Sequence, residues 1–85
     1  MPAEDFQDLL MMSRKKSKIV IDTTGEIYIE NYGSLRKFTP EIIAFRNAVQ
    51  EIEICGTDLL IESIEHDCTW ICGTVQTLTL KERSL

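Results

Sequence analysis

The chain has 85 residues, of which 44% are hydrophobic and 27% are charged. This predicts one globular domain and excludes a large multidomain enzyme, a collagen-like or disordered chain and a transmembrane protein. Nine Lys and Arg against 14 Asp and Glu give a formal net charge of -5, so no nucleic-acid partner is expected. A domain this small folds with little free energy to spare, so oligomerisation would stabilise it.

Residues 1–17 are predicted to form an N-terminal arm. Four apolar residues spaced at i, i+3 and i+4 fit one short amphipathic helix, which is too short to be stable alone, so the arm is expected to be helical or disordered. These residues are Phe6, Leu9, Leu10 and Met12. The arm's first charged residues, Glu4 and Asp5, are acidic where a secretory signal would be basic. Cytoplasmic localisation is therefore predicted.

A cluster of four cations follows the apolar stripe. Its members are Arg14, Lys15, Lys16 and Lys18. Each would add about 1 kcal/mol of attraction at an anionic membrane surface, so peripheral membrane contact or an acidic partner is one hypothesis. A solubilising linker is the other.

From residue 18 onward, segments rich in Ile, Val, Tyr, Phe and Thr are separated by turn-forming residues, which is typical of β-strands. The predicted strands are 18–22, 26–31, 35–39, 41–46, 49–55, 59–64 and 68–80. The fold class predicted is all-β: a small antiparallel sandwich or roll of about seven or eight short strands over residues 18–80, with a tail at 81–85. In residues 51–54 Glu alternates with Ile, so one face of that strand should be apolar and the other acidic.

Turns are predicted where Gly, Pro, Asn and Asp interrupt these segments. Their positions are Thr23-Thr24-Gly25, Asn31 to Ser34, Pro40, Asn47-Ala48, Gly56-Thr57-Asp58 and Glu65-His66-Asp67. At Asn47-Ala48 the asparagine is expected to supply a left-handed residue of a two-residue hairpin loop. Gly73 should bend or bulge the last strand.

Period-two alternation places His66, Cys68, Trp70 and Cys72 on one face of a strand. A metal or redox site would need these ligands to converge with Cys55, but an extended strand separates alternate side chains by nearly 7 Å. Three cysteines without framework spacing are typical of reduced thiols, and buried apolar cysteines are the alternative interpretation. A single histidine between two acids in a turn is more typical of a solvated side chain than of a catalytic base.

Paired carboxylates occur at Glu51 and Glu53 and at Glu62 and Glu65. Glycosidase chemistry would also need a deep cleft, which so short a chain can hardly enclose. A solvated acidic face is the favoured interpretation. The four glycines lie in separate turns and form no phosphate-binding loop. No catalytic, cofactor-binding or metal-binding residue is predicted.

Several motifs resemble the sporulation-associated YabP/YqfC family, and the YqfC branch most closely. They lie between about Ile19 and Leu80 and are Ile27-Tyr28-Ile29-Glu30-Asn31-Tyr32-Gly33, Phe38-Thr39-Pro40-Glu41, Ile52-Glu53-Ile54-Cys55-Gly56, Leu59-Leu60-Ile61 and Ile71-Cys72-Gly73-Thr74-Val75. The Ile-Glu-Asn step with its following glycine and the two late Ile-x-Gly steps are the most specific parts. The three cysteines are not part of this pattern, and Asn47-Ala48 holds no glycine where relatives often have one.

The resemblance implies a small all-β protein of endospore-forming bacteria, made in the mother cell and needed there in a non-enzymatic way. It also implies a sporulation membrane protein, encoded nearby, as the partner. We therefore expect a structural or interaction module that self-associates through a sheet edge or binds that partner. The alternative is a metal-binding or redox module built on Cys55, His66, Cys68 and Cys72.

Overall fold

The computed structural model describes residues 16–83, and these form an all-β fold. The strands are β1 (Lys18–Ile21), β2 (Ile27–Glu30), β3 (Ser34–Phe38), β4 (Ile42–Arg46), β5 (Gln50–Ile64) and β6 (Cys68–Glu82). They make one antiparallel sheet in the order β1-β2-β6-β5-β4-β3. The predicted all-β class and the antiparallel pairing are confirmed. The predicted arm, with Phe6, Leu9, Leu10 and Met12, lies outside the described residues except for its last two positions.

The prediction of seven or eight strands over residues 18–80 is wrong, because residues 16–83 form six. The segments 49–55 and 59–64, expected to be separate strands, belong to the single 15-residue strand β5 except for Val49, which precedes it. Gly56-Thr57-Asp58 does not reverse the chain. Instead the Gly56 N–H donates to the Glu41 carbonyl at 3.0 Å and the Leu59 N–H donates to the Pro40 carbonyl at 2.8 Å. Hydrogen bonds to the β3–β4 turn therefore keep β5 running on through residues 56–58, although these residues themselves favour a turn.

Bulges bend the long β5–β6 hairpin. The pairing register shifts between Cys55 and Gly56, between Thr57 and Leu60, and between Ile61 and Ser63. Asp58 takes a positive φ of 54°, and Gly73 in β6 takes one of 127°. The predicted irregularity at Gly73 is thus confirmed, and it lies opposite an extra residue in β5. Extra residues of this kind increase local twist and bend a strand.

The bend divides the sheet into two halves that share β5 and β6. In the β4 half, β3 and β4 lie beside the start of β5, and residues 75–82 of β6 form the far edge. In the β2 half, β1 and β2 lie beside the start of β6, and residues 60–64 of β5 form the far edge. Each half therefore has four strands and two edges.

The two halves face each other. In a flat sheet β2 and β4 would lie three strand spacings, roughly 14 Å, apart. Yet the Asn47 side chain, just after β4, donates to the Asn31 carbonyl, just after β2, at 3.1 Å. The rings of Tyr32 and Phe45 are 5.4 Å apart across the same gap. The sheet thus folds over onto itself.

One apolar layer fills the space between the halves. Its fully buried members are Ile27, Ile29, Ile43, Phe45, Ile52, Ile54, Leu59 and Ile71. They alternate with outward side chains, as period two requires. Ile52 and Ile54 are buried while Glu51 and Glu53 point outward, so the apolar and acidic faces predicted for this strand are confirmed.

Asn47 does not play the role expected of it. Among the described residues other than glycine, only Asn31 and Asp58 have a positive φ, so Asn47 is not left-handed. The Asn47 N–H donates to the Gln50 carbonyl, and the two loop residues are therefore Ala48 and Val49. The Asn47 Oδ1 accepts from the N–H groups of Val49 and Gln50 at 2.9 and 2.8 Å. Its Nδ2 donates to the Ser17 Oγ and the Asn31 carbonyl.

We expect Asn47→Ala to lower the free energy of unfolding by about 2–4 kcal/mol, because it removes four hydrogen bonds at a buried position. Ser17→Ala removes one hydroxyl that accepts from Asn47 and donates to the Asn31 carbonyl, so its effect should be smaller. Urea denaturation followed by Trp70 fluorescence measures both. Equal stability of Asn47→Ala and the wild type would show that the two halves need no polar tie.

Gly33→Ala should also destabilise the fold, by about 2–4 kcal/mol. Gly33 has a φ of 84°, and a β-carbon there would lie 2.1 Å from the Arg46 carbonyl oxygen. Gly25→Ala is the matched control, since its φ is 99° but its nearest contact would be 3.1 Å away. The same denaturation experiment should give Gly25→Ala a loss of only about 1 kcal/mol, and similar losses for the two variants would contradict the steric account.

Candidate interaction surfaces

The structure confirms that Cys68, Trp70 and Cys72 share a face. Cys68 lies opposite Glu30 and Trp70 opposite Tyr28, on the outer side of the β2 half. Cys72 lies opposite Leu60 on the same side. His66 does not join them, because it lies in the turn between β5 and β6 with its side chain 94% exposed and its Nδ1 2.7 Å from the Asp67 Oδ1.

Cys55 lies in the other half of the sheet, opposite Ile42 and Thr77. The candidate ligands are therefore not brought together. Within residues 16–83, no group of three His, Cys, Asp or Glu side chains could hold a metal ion.

The environment of Cys68 works against thiol chemistry. Desolvation by the surrounding residues raises the pKa of the Cys68 thiol, and the negative charge of Glu65 raises it further. The Glu65 Oε2 lies 3.8 Å from the Cys68 Sγ. Since the thiolate is the nucleophile and the metal ligand, a raised pKa keeps this sulfur in its unreactive form at neutral pH.

Because the pKa of Cys68 is raised, its alkylation should accelerate only at a pH above that of an ordinary thiol. In a Cys55→Ser/Cys72→Ser background, we expect Glu65→Gln to shift the pH–rate curve for iodoacetamide to lower pH, because it removes a negative charge that opposes ionisation. Mass spectrometry measures the modified fraction over time. Glu62→Gln is the control for loss of one exposed acid three residues earlier, in β5, and an equal shift there would contradict the assignment to Glu65.

Of the four carboxylates singled out by the sequence, Glu53, Glu62 and Glu65 are exposed and Glu51 is half-buried. The Glu51 Oε1 accepts from the Arg46 Nη2 at 3.1 Å across the β4–β5 pair. Glu53 lies beside it on the same outer face, next to an open recess of about 290 Å³ that is also lined by Arg36 and Lys81. Glu65 lies in the exposed turn after β5. This mixture of charges is what a solvated sheet face presents.

Two of the four cations in the basic cluster can be placed. The Lys16 Nζ lies 3.0 Å from the Glu82 Oε1, and Lys18 is opposite Glu30 in the sheet. Arg14 and Lys15 lie outside the described residues. In residues 16–83 there is no helix that could cross a membrane.

The outer face of the β2 half carries an aromatic pair. The rings of Tyr28 and Trp70 are 5.0 Å apart, and exposed Val20 lies opposite Tyr28 in the next strand. Desolvation, together with the neighbouring Glu30 carboxylate, raises the pKa of Tyr28 to about 12. This tyrosine therefore stays protonated at physiological pH and acts as a packing group.

The least expected feature is that the inner apolar layer continues, uncovered, onto all four edges of the folded sheet. Residues directly opposite each other in a sheet point to the same face. Five apolar side chains that are 40–59% exposed lie opposite buried residues and so belong to the inner face. They are Ile21 on β1, Leu35 and Phe38 on β3, Ile64 on β5 and Leu80 on β6.

These edges form two open sides. The β3/β5 side carries Leu35, Phe38 and Ile64. The β1/β6 side carries Ile21 and Leu80. On this side β1 lies near the end of β6, because the Lys16 side chain contacts Glu82 at one end of β1 and Ile21 lines a recess with Val75 at the other end. The sequence contained a signal for the β6 residues, the alternation of Thr with Leu over 77–80, but nothing in it indicated that this strand would be an edge.

No known protein family, curated protein or solved structure matches the chain.

Proposed function

We propose that the chain is a non-enzymatic sporulation protein that acts in the mother cell of an endospore-forming bacterium as a small β interaction module. Its resemblance to the YabP/YqfC family supports the biological setting. The observation that carries the molecular role is the inner apolar layer left uncovered at the edge strands. A layer of this kind has the chemistry of a surface that another protein completes.

The free energy at stake is sufficient for association. Fully burying a large aliphatic or aromatic side chain is worth about 1.5–3 kcal/mol, so covering the exposed half of one gives roughly 1 kcal/mol. Five such side chains occur on the four edges. An added strand would also satisfy the outward N–H and C=O groups of an edge, which is how proteins recognise extended partners by β-augmentation.

Two modes of interaction fit this surface: self-association and binding of the sporulation membrane protein that the resemblance implies. The two open sides allow one of each. Peripheral membrane contact through Arg14, Lys15, Lys16 and Lys18 would place the domain beside such a partner.

We expect a strain that lacks the gene to form fewer heat-resistant spores and the wild-type gene to restore them. A Leu35→Lys/Phe38→Lys variant should fail to restore them, because it places two charges on the inner face at the β3/β5 side, where the side chains are already partly solvated. Circular dichroism and thermal denaturation of the purified variant check that it still folds. Full restoration by this folded variant would contradict a role for the β3/β5 side.

A Cys55→Ser/Cys68→Ser/Cys72→Ser variant separates this proposal from the metal or redox alternative. The interaction module needs no thiol, so the triple variant should restore spore formation as the wild type does. If the triple variant folds and accumulates normally but restores no spores, the thiols are functional and the proposal is wrong.

A further inference from the structure

We infer that two copies of this chain associate by antiparallel pairing of the free edge of β6, residues 77–82. This rests on the proposed function and names one partner for it, a second copy of the chain. Among the described residues, β2 pairs with β6 only over Cys68–Ile71, and β5 occupies the other side. The side of residues 77–82 that faces away from β5 therefore carries no strand.

This edge is regular, unlike the free edges of β3 and β5. Residues 77–82 pair with β5 residues 50–55 one-to-one, without a bulge. The stretch Thr77-Leu78-Thr79-Leu80 has no charge, no proline and no glycine. Proteins protect edges that must stay unpaired with charges, prolines and bulges, and this edge has none of these before Lys81.

The edges on the β3/β5 side are protected. An extra residue at Arg36 interrupts the β3 pairing, and Lys37 follows it. In β5 an extra residue at Glu62 interrupts the pairing next to the free edge. Self-pairing of β3 centred on Arg36 would bring Arg36 against its own copy, and self-pairing of β5 centred on Glu62 would do the same with Glu62, so like charges oppose these two arrangements.

On β6, by contrast, one register is self-complementary. A two-fold axis at Thr79 places Leu78 opposite Leu80 of the second copy, and Thr77 opposite Lys81. Both leucines lie on the inner face, because Leu78 is opposite Ile54 and Leu80 opposite Ile52. No like charges face each other in this arrangement. Moving the axis to Leu80 would instead set the apolar side chain of Leu78 opposite the carboxylate of Glu82 on the inner face, which disfavours that register.

The pairing would extend the inner apolar layer from one copy into the next. Each copy contributes a four-stranded half ending at β6, so the dimer has a continuous sheet through both. Leu80, now half-exposed, would be covered by Leu78 of the second copy. Ile21 of β1, which lies over the same side of the sandwich, would approach the junction from the other half.

The oligomeric state of the full-length chain tests the inference. By sedimentation velocity over a hundredfold range of concentration, we expect a species of twice the 9.8 kDa chain mass that dissociates on dilution. Leu80→Lys should weaken the dimer by about tenfold or more, because it places a charge on the inner face at the junction. Ile64→Lys is the matched control, since Ile64 is 50% exposed on an edge and Leu80 is 51% exposed. It should dimerise as the wild type does.

Symmetric cysteines test the register. In a Cys55→Ser/Cys68→Ser/Cys72→Ser background, Thr79→Cys should form a disulfide-linked dimer under mild oxidation, because directly opposed residues have Cα atoms roughly 4.5–5.5 Å apart. Thr77→Cys should not, since its two copies would lie about 13 Å apart along the strands. Cross-linking by Thr77→Cys and not by Thr79→Cys would overturn the register.

A monomer at every concentration would overturn the inference. If the chain is a monomer but the folded Leu35→Lys/Phe38→Lys variant fails to restore heat-resistant spores, the proposed interaction function still stands without the dimer. Conversely, if the Leu80→Lys variant is monomeric and still forms spores normally, the dimer exists in solution but is not needed for the proposed function.

Discussion

The fold depends on where the side-chain amide of Asn47 makes its hydrogen bonds. This residue is 9% exposed, yet both ends of its amide are satisfied: Oδ1 by two N–H groups of its own loop, and Nδ2 by Ser17 and the carbonyl of Asn31. The amide of Asn47 supplies two donor hydrogens at one end and an acceptor oxygen at the other. The Oδ1 end fixes the β4–β5 loop, and the Nδ2 end binds Ser17, just before β1, and Asn31, just after β2. The side chain of one residue therefore links the two halves directly.

The end of β6 is tied to the same loop. The Arg83 guanidinium donates to the Asn47 carbonyl at 2.9 Å, and the Arg83 N–H donates to the Val49 carbonyl. The beginning of β1, the end of β2, the β4–β5 loop and the end of β6 therefore meet at one place. From there the bulged β5–β6 hairpin runs to the bend and back, and both halves of the sheet are built on it. Because the two halves share one hairpin, each half ends in two edge strands. The opposite half covers the apolar side chains of these edge strands only in part.

Much of the strand pattern could be predicted from the sequence, because its signals are local. Period-two alternation and β-branched residues located β1 to β4, and the turns at 23–25 and 65–67 lie where their Gly, Asp and Thr residues indicated. The same local chemistry misled at residues 56–58. Gly and Asp allow a positive φ in a bulge as readily as in a turn, and the choice between them is made by the carbonyls of Pro40 and Glu41, which are remote in sequence.

The candidate surface was less predictable for a related reason. Alternation places Cys68, Trp70 and Cys72 on one face, but it does not say that Cys55 lies in the other half of the sheet or that His66 remains in the turn. Alternation likewise predicts an inward-facing side chain for both Leu80 and Ile52. One is half-exposed and the other buried because β5 is central and β6 is an edge in the β4 half, and strand order is decided by long-range pairing.

The difference between the two open sides bears on how one small domain could serve two partners. Bulges at Arg36 and Glu62 prevent regular strand addition on the β3/β5 side but leave Leu35, Phe38 and Ile64 accessible to side-chain contacts. The plain edge of β6 instead offers backbone groups in register and two inward leucines. Strand pairing selects a partner by register, whereas an apolar patch bordered by charges selects by shape and electrostatic complementarity. A second copy on β6 and a different protein on the β3/β5 side would then use surfaces that do not compete.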